Sequence, residues 1–215
     1  MKNLLIKETR LSAHVLSYLF LAFSLMALIP RYPILVGAFF VCFGLFQTFQ
    51  NGRETNDVLY SVLLPIDKKH VVTARYCFIC AIQMAAFLLM AGLTALRMAF
   101  LAGAAPYADN PMMNANPVFL AWVLVVFALF NVLFAGLFYK TAYNFGKPFV
   151  AFIIASLLAV GLAETLHHLP GLGFLNTGER LPVQFALLAL AAAFYWLATV
   201  LACRKARRRF AMLDL

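Results

Sequence analysis

Apolar residues gather in six stretches, roughly 13–29, 34–49, 71–96, 117–139, 149–166 and 183–203, parted by short polar or proline-bearing links. Each stretch is continuous rather than alternating, and the lengths scatter around the roughly 20 residues that one helix needs to cross a bilayer. Pro30-Arg31-Tyr32-Pro33 marks a tight turn between the first two, because proline fixes φ and disfavours helix in the residue before it. Ala104–Pro117, with its prolines and asparagines, and the run from Pro170 through Pro182 read as loops. The pattern predicts an all-α, polytopic membrane protein, one domain over 1–215 with six transmembrane helices.

Ahead of the first stretch, Leu4, Leu5, Ile6 and Leu11 are interleaved with Lys2, Lys7, Glu8 and Arg10. Such a segment suits a short helix lying in the membrane interface, and equally the charged start of the first span. A basic-then-apolar order also opens secretory signals, but here the run continues to about Ile29 and five more follow, so it reads as a span.

Composition agrees. Of 215 residues, 65% are hydrophobic and 12% charged, with mean hydropathy +0.90. A soluble domain is nearer half apolar and a quarter charged. Six spans occupy roughly 120 residues, which leaves no room for a complete ATPase or kinase module. The cysteines Cys42, Cys77, Cys80 and Cys203 all fall in apolar segments or at their cytoplasmic ends, so they suggest no disulfide framework.

Net charge is +9, and its distribution carries the topology. The N-terminus, 50–75, 140–148 and the C-terminus hold 14 of the 17 Lys and Arg residues, while Arg31, Arg97 and Arg180 fall on the opposite side. The positive-inside rule places both termini in the cytoplasm, an orientation that only an even number of spans allows. Tyr32, Tyr107 and Trp122 near one boundary, and Tyr76, Tyr139 and Tyr143 near the other, fit interfacial aromatic belts. The basic balance is thereby explained without nucleic acid.

Between the second and third spans lies QNGRETNDVLYSVLLPIDKKH, residues 50–70. Asn51-Gly52 reads as a break, Thr55 or Asn56 as a cap, and Asp57 as a favourable acid in a first helical turn. Val58, Leu59, Val62 and Leu63 recur at helical spacing, and Pro65 ends the segment. The pattern predicts a short amphipathic cytoplasmic helix, either resting on lipid or docking a partner.

The run Leu63-Leu64-Pro65-Ile66-Asp67-Lys68-Lys69-His70-Val71-Val72-Thr73-Ala74-Arg75-Tyr76 resembles the stretch that follows the coupling helix in ABC-2-type ABC transporter permeases, especially small six-span bacterial ones that include exporters of amphipathic peptide toxins. Asp67 and His70 depart from the serine-like and acidic residues expected at those places. The resemblance implies a coupling helix over roughly 53–66, with Arg53, Glu54, Asp57, Leu59, Leu63 and Pro65 docking a cytoplasmic ABC ATPase. It also implies a second permease chain (the same or a paralogue), a bacterial inner membrane, and export of an amphipathic or hydrophobic substrate. On this reading the chain is not an enzyme and holds no cofactor; ATP and magnesium belong to the ATPase. Asn144-Phe145-Gly146-Lys147-Pro148 lacks the Ser/Thr and the first glycine of a phosphate loop.

Other candidates are weaker. Asn131, in the fourth span, and Gln83, in the third, need partners that lipid cannot supply, which fits either a helix–helix contact or a substrate path. Ala151, Ala155, Ala159 and Ala163 form a small-residue ridge for packing within the chain or at a dimer seam. Cys77-x-x-Cys80 lacks the strand–helix setting of redox pairs. Glu164, His167 and His168 share a helical turn, which suits a hydrated helix end or, less readily, a metal site. Two rivals remain: a stand-alone secondary transporter, weakened by the near absence of mid-membrane charge, and an intramembrane enzyme using Glu164, His167 and His168.

Overall fold

The computed structural model describes residues 2–63, 66–101, 103–108 and 110–213, and among these every regular element is helical. Helix α1 (Lys2–Ser12) meets α2 (Val15–Leu28) at 94°. Then come α3 (Val36–Glu54), α4 (Asp57–Leu63), α5 (Lys68–Leu101), α6 (Pro117–Phe138), α7 (Gly146–Leu166) and α8 (Leu181–Ala211). Helices α5 to α8 are each long and apolar enough to cross a membrane, and the bent α1–α2 pair makes five if counted as one span. Helix α3 covers the second expected span but carries Gln47, Gln50, Asn51 and Arg53 within its 19 residues, which lowers its apolarity.

Side chains set several helix starts. The Asp67 carboxylate accepts from the Lys69 amide at 2.8 Å, so this residue caps α5. Asn116 accepts from the Phe119 amide at 2.9 Å, with Pro117 in the first turn of α6. At the turn between α3 and α4 the expectation needs correction: Asn51 and Gly52 do not break the chain but lie inside α3. The turn comes at Asn56, whose φ of 54° is left-handed, a region asparagine tolerates. Thr55 does not cap α4; its hydroxyl donates back to the Asn51 carbonyl at 2.9 Å.

Close packing of α2 on α3 depends on two glycines. A Cβ at Gly37 would sit 2.7 Å from the Phe23 carbonyl oxygen, and one at Gly44 2.8 Å from the Phe20 Cβ. Ser17 donates to the Gly44 carbonyl at 2.7 Å across the same contact. Helix α6 forms the centre: 72% of its apolar stretch is buried, against 17% for α8. Around it, phenylalanines from α3, α6 and α7 interlock, with Phe46 stacked on Phe149 at 3.8 Å and Phe130 edge-on to Phe152 at 5.2 Å. Ala159 and Ala163 of the alanine ridge are buried within the chain, whereas Ala151 and Ala155 are half-buried.

The loop before α6 is held firmly. Arg97, buried near the C-terminal end of α5, donates to the Ala27 carbonyl at 2.8 Å and to Asn114 Oδ1 at 2.9 Å. Asn176 Oδ1 accepts from the Asn114 amide at 2.6 Å. These residues border a cavity of about 280 Å³ that Thr177 also lines. Glu164 accepts from the Met113 amide at 2.8 Å, and the His167 ring contacts the Pro111 carbonyl at 3.3 Å, so both serve the same loop.

Candidate functional site

Helix α4 is amphipathic in an unusual sense. Asp57 and Ser61, one turn apart, face inward, while Leu59, Tyr60 and Leu63 are exposed at 46%, 66% and 74%. Asp57 and Ser61 are thus engaged by the protein itself and Val58 packs partly against the core, while Leu59, Tyr60 and Leu63 are left open. Of the other expected docking residues, Glu54 is exposed and accepts from Gln50 Nε2 at 3.2 Å. Arg53 is half-buried, its guanidinium 4.4 Å from the Phe145 ring centre, which ties the segment to the α6–α7 link. Pro65 lies outside the described residues.

Behind α4 sits a buried charge cluster that joins three elements. The Arg75 guanidinium of α5 reaches Glu8 of α1 through Nε and Asp57 of α4 through Nη2, the latter at 2.7 Å. Lys7 Nζ meets Asp57 Oδ1 at 2.6 Å and donates to Ser61 Oγ at 2.5 Å. Ser12 donates to Asp57 at 3.2 Å. Glu8 is 1% exposed and Arg75 5%, so the central pair is sequestered from water. Two carboxylates and two cations cancel, which is how charge becomes tolerable there.

Glu8 is the least comfortable member. Burial pushes its carboxyl above the usual glutamate range, while Arg75 and then Lys7 pull it back and the Asp57 charge adds to the rise. Oε1 is approached by the Lys7 ammonium only at 3.8 Å, so Arg75 is its main support. Buried ion pairs contribute little net stability over apolar packing but penalise any geometry that separates them. The cluster therefore holds α1, α4 and α5 in one register more than it strengthens the fold. Glu8 and Lys7 were not among the residues that sequence pattern singled out; the available signal was an acid within an otherwise basic N-terminal segment.

Gln83 and Asn131 come together deeper in the molecule, both fully buried. Their amides bond reciprocally, each N–O separation being 3.0 Å. Asn131 Nδ2 also donates to Thr199 Oγ1 at 2.9 Å, and the Tyr195 hydroxyl donates to Gln83 Oε1 at 2.9 Å, both partners on α8. Asn131 lies in a π-helical stretch of α6, Phe130–Ala135, where its carbonyl accepts from the Gly136 amide in place of the ordinary α-helical partner. Tyr76 donates to the Asn131 carbonyl at 3.0 Å and Arg209 to the Gly136 carbonyl at 3.0 Å. The amides thus contact helices rather than open space.

The two clusters are linked through adjacent residues of α5, with Arg75 in the ionic one and Tyr76 bonded to the amide one. A displacement of α4 or α1 that carries Arg75 would act on the backbone that supports Asn131.

A family model described as ABC-2 family transporter protein matches residues 3–206. No curated protein and no solved structure matches the chain.

Proposed function

The chain belongs to the ABC-2 transporter family, and from that premise we propose that it is the membrane-spanning subunit of an ATP-driven exporter, docked by a separate ABC ATPase on α4 and its flanks. The family makes it a multi-pass membrane protein, a permease and a transporter component rather than a catalyst. The finer reading is our own. Helices α2, α3 and α5 to α8 form six spans, both termini are cytoplasmic in a bacterial inner membrane, and two permease chains (identical or paralogous) pair with two ATPases that hold the ATP and magnesium. The substrate is amphipathic or hydrophobic, in keeping with walls of phenylalanine and leucine.

The observation that carries this reading is the orientation of α4. Its apolar face, Leu59, Tyr60 and Leu63, is open, while its polar face is tied to α5 through Asp57 and Arg75. A helix that only rested against the protein core would turn those faces the other way. ATP binding would close the ATPase pair, move α4, and pass that motion through Arg75 to α5.

The test is a gentle-detergent pull-down from the chain's own host membranes. A co-purifying phosphate-loop ATPase, lost in Leu59→Glu/Leu63→Glu but kept in Gln83→Leu, is the expected result. A chain that purifies alone would contradict it and return attention to solo transport. The topology has its own check: a cysteine at Glu179 labels in intact cells and one at Lys140 only after permeabilisation, and the reverse pattern would overturn the orientation.

A further inference from the structure

A crevice of about 290 Å³ lies between the π-helical part of α6 and the C-terminal third of α8. Gly136 and Ala198 leave its floor without bulk, and Val132 and Leu201, 39% and 44% exposed, form its walls. Lys205 and Arg209 stand at one end. The Arg209 guanidinium is fixed there by its bond to the Gly136 carbonyl at 3.0 Å, which engages only one of its donors. Among the described residues neither cation forms an ion pair.

The order along α8 is informative. From Ala198 to Arg209 the helix rises about 16 Å, and its apolar stretch gives way to Arg204 and Lys205 within that rise. Apolar groove lies toward the membrane centre and cationic groups lie at headgroup depth. A soluble anion would match only the cations, and a neutral lipid only the groove. On the other side of the same helix end, Lys69, Arg204, Arg207 and Arg208 surround a second concavity of about 360 Å³ without apolar walls. That neighbour raises the local anion concentration but offers nothing to an acyl chain.

We propose that the α6–α8 crevice holds one anionic phospholipid of the cytoplasmic leaflet, its acyl chain against Val132 and Leu201 and its phosphate on Lys205 and Arg209. The bound lipid covers the stretch of α6 whose carbonyls Tyr76 and Arg209 satisfy. The inference rests on the cytoplasmic placement of the α8 end, not on the identity of the ATPase or the substrate.

The test uses the full chain in nanodiscs of mixed phosphatidylglycerol and phosphatidylcholine, released into a native mass spectrometer. Phosphatidylglycerol should be retained on the order of thirtyfold over phosphatidylcholine, the scale expected for two cations at a membrane surface. Lys205→Ala/Arg209→Ala should bring the ratio near one. Ala198→Leu fills the half-buried floor and keeps both charges, and it should expel the lipid as well. Added inorganic phosphate should not compete. Equal retention of the two lipids, or a preference that survives the double substitution, would overturn the site. Retention unchanged in Ala198→Leu, or displacement by inorganic phosphate, would show headgroup attraction without a seated lipid and overturn it equally. None of these outcomes depends on an ATPase being found.

Discussion

The charge cluster behind α4 and the buried amide cluster each join three helices, but with opposite electrostatics. Glu8, Asp57, Lys7 and Arg75 tie α1, α4 and α5 through full charges. Gln83, Asn131, Thr199 and Tyr195 tie α5, α6 and α8 through neutral groups, each satisfied by the next. Losing one neutral partner leaves a dipole that other groups in a helix bundle partly satisfy. Losing one charge leaves an ion with no water to turn to. The first cluster therefore suits a place where a partner's motion must be felt without slippage, and the second a place that must stay packed.

Arg75→Leu probes this contrast most severely. It strips Glu8 of its main cation, and the expected loss is about 3–5 kcal/mol in unfolding stability, read as a fall in melting temperature in detergent. Asn131→Leu should cost only about 1 kcal/mol, because measured interhelical hydrogen bonds in membranes are weak. Equal losses would erase the distinction between the clusters.

Smaller again is a pH effect confined to the charged cluster. Burial raises the folded Glu8 carboxyl above its ordinary range, with Arg75, Lys7 and Asp57 the charges that face it. Its contribution to stability is then full below the ordinary glutamate value and is lost as pH rises through the raised folded value. As pH falls through that window, the native protein should gain stability relative to Glu8→Gln. Parallel stability curves for the two would contradict a sequestered carboxyl. Smallest of all, Glu54→Ala should change stability by less than about 0.5 kcal/mol, as exposed positions do, and its effect should appear only in ATPase association.

Much of this was legible in the chain. The start of α6 follows from Asn116-Pro117 and the course of α7 from a long apolar run, because lipid imposes length and composition on a spanning helix directly; α8 overruns its apolar stretch of 183–203, continuing through the basic tail to Ala211. Asn131 and Gln83 stood out for the same reason, a polar group in an apolar run, although their mutual bond spans 48 residues and no local spacing reveals it. The turn after α3 misled, since Gly52 usually weakens a helix but is here buried against Arg75. Asp57 was read as facing a partner, and the structure turns its carboxylate inward to Lys7 and Arg75. The charged cluster was hidden for a physical reason. Its members come from distant segments of the chain, and each alone looks like an ordinary interfacial charge.

On the proposed function, motion of α4 reaches the spans through Glu8, Asp57 and Arg75. Thr177 offers a direct readout, because it lines the cavity that Arg97 of α5 borders. The decisive measurement is the thiol-labelling rate of a cysteine at Thr177, in a background lacking the native cysteines, for the complex with its ATPase, with and without ATP. The expected result is a nucleotide-dependent rate that disappears in Glu8→Gln although the ATPase stays bound. The same nucleotide response in both backgrounds would contradict it.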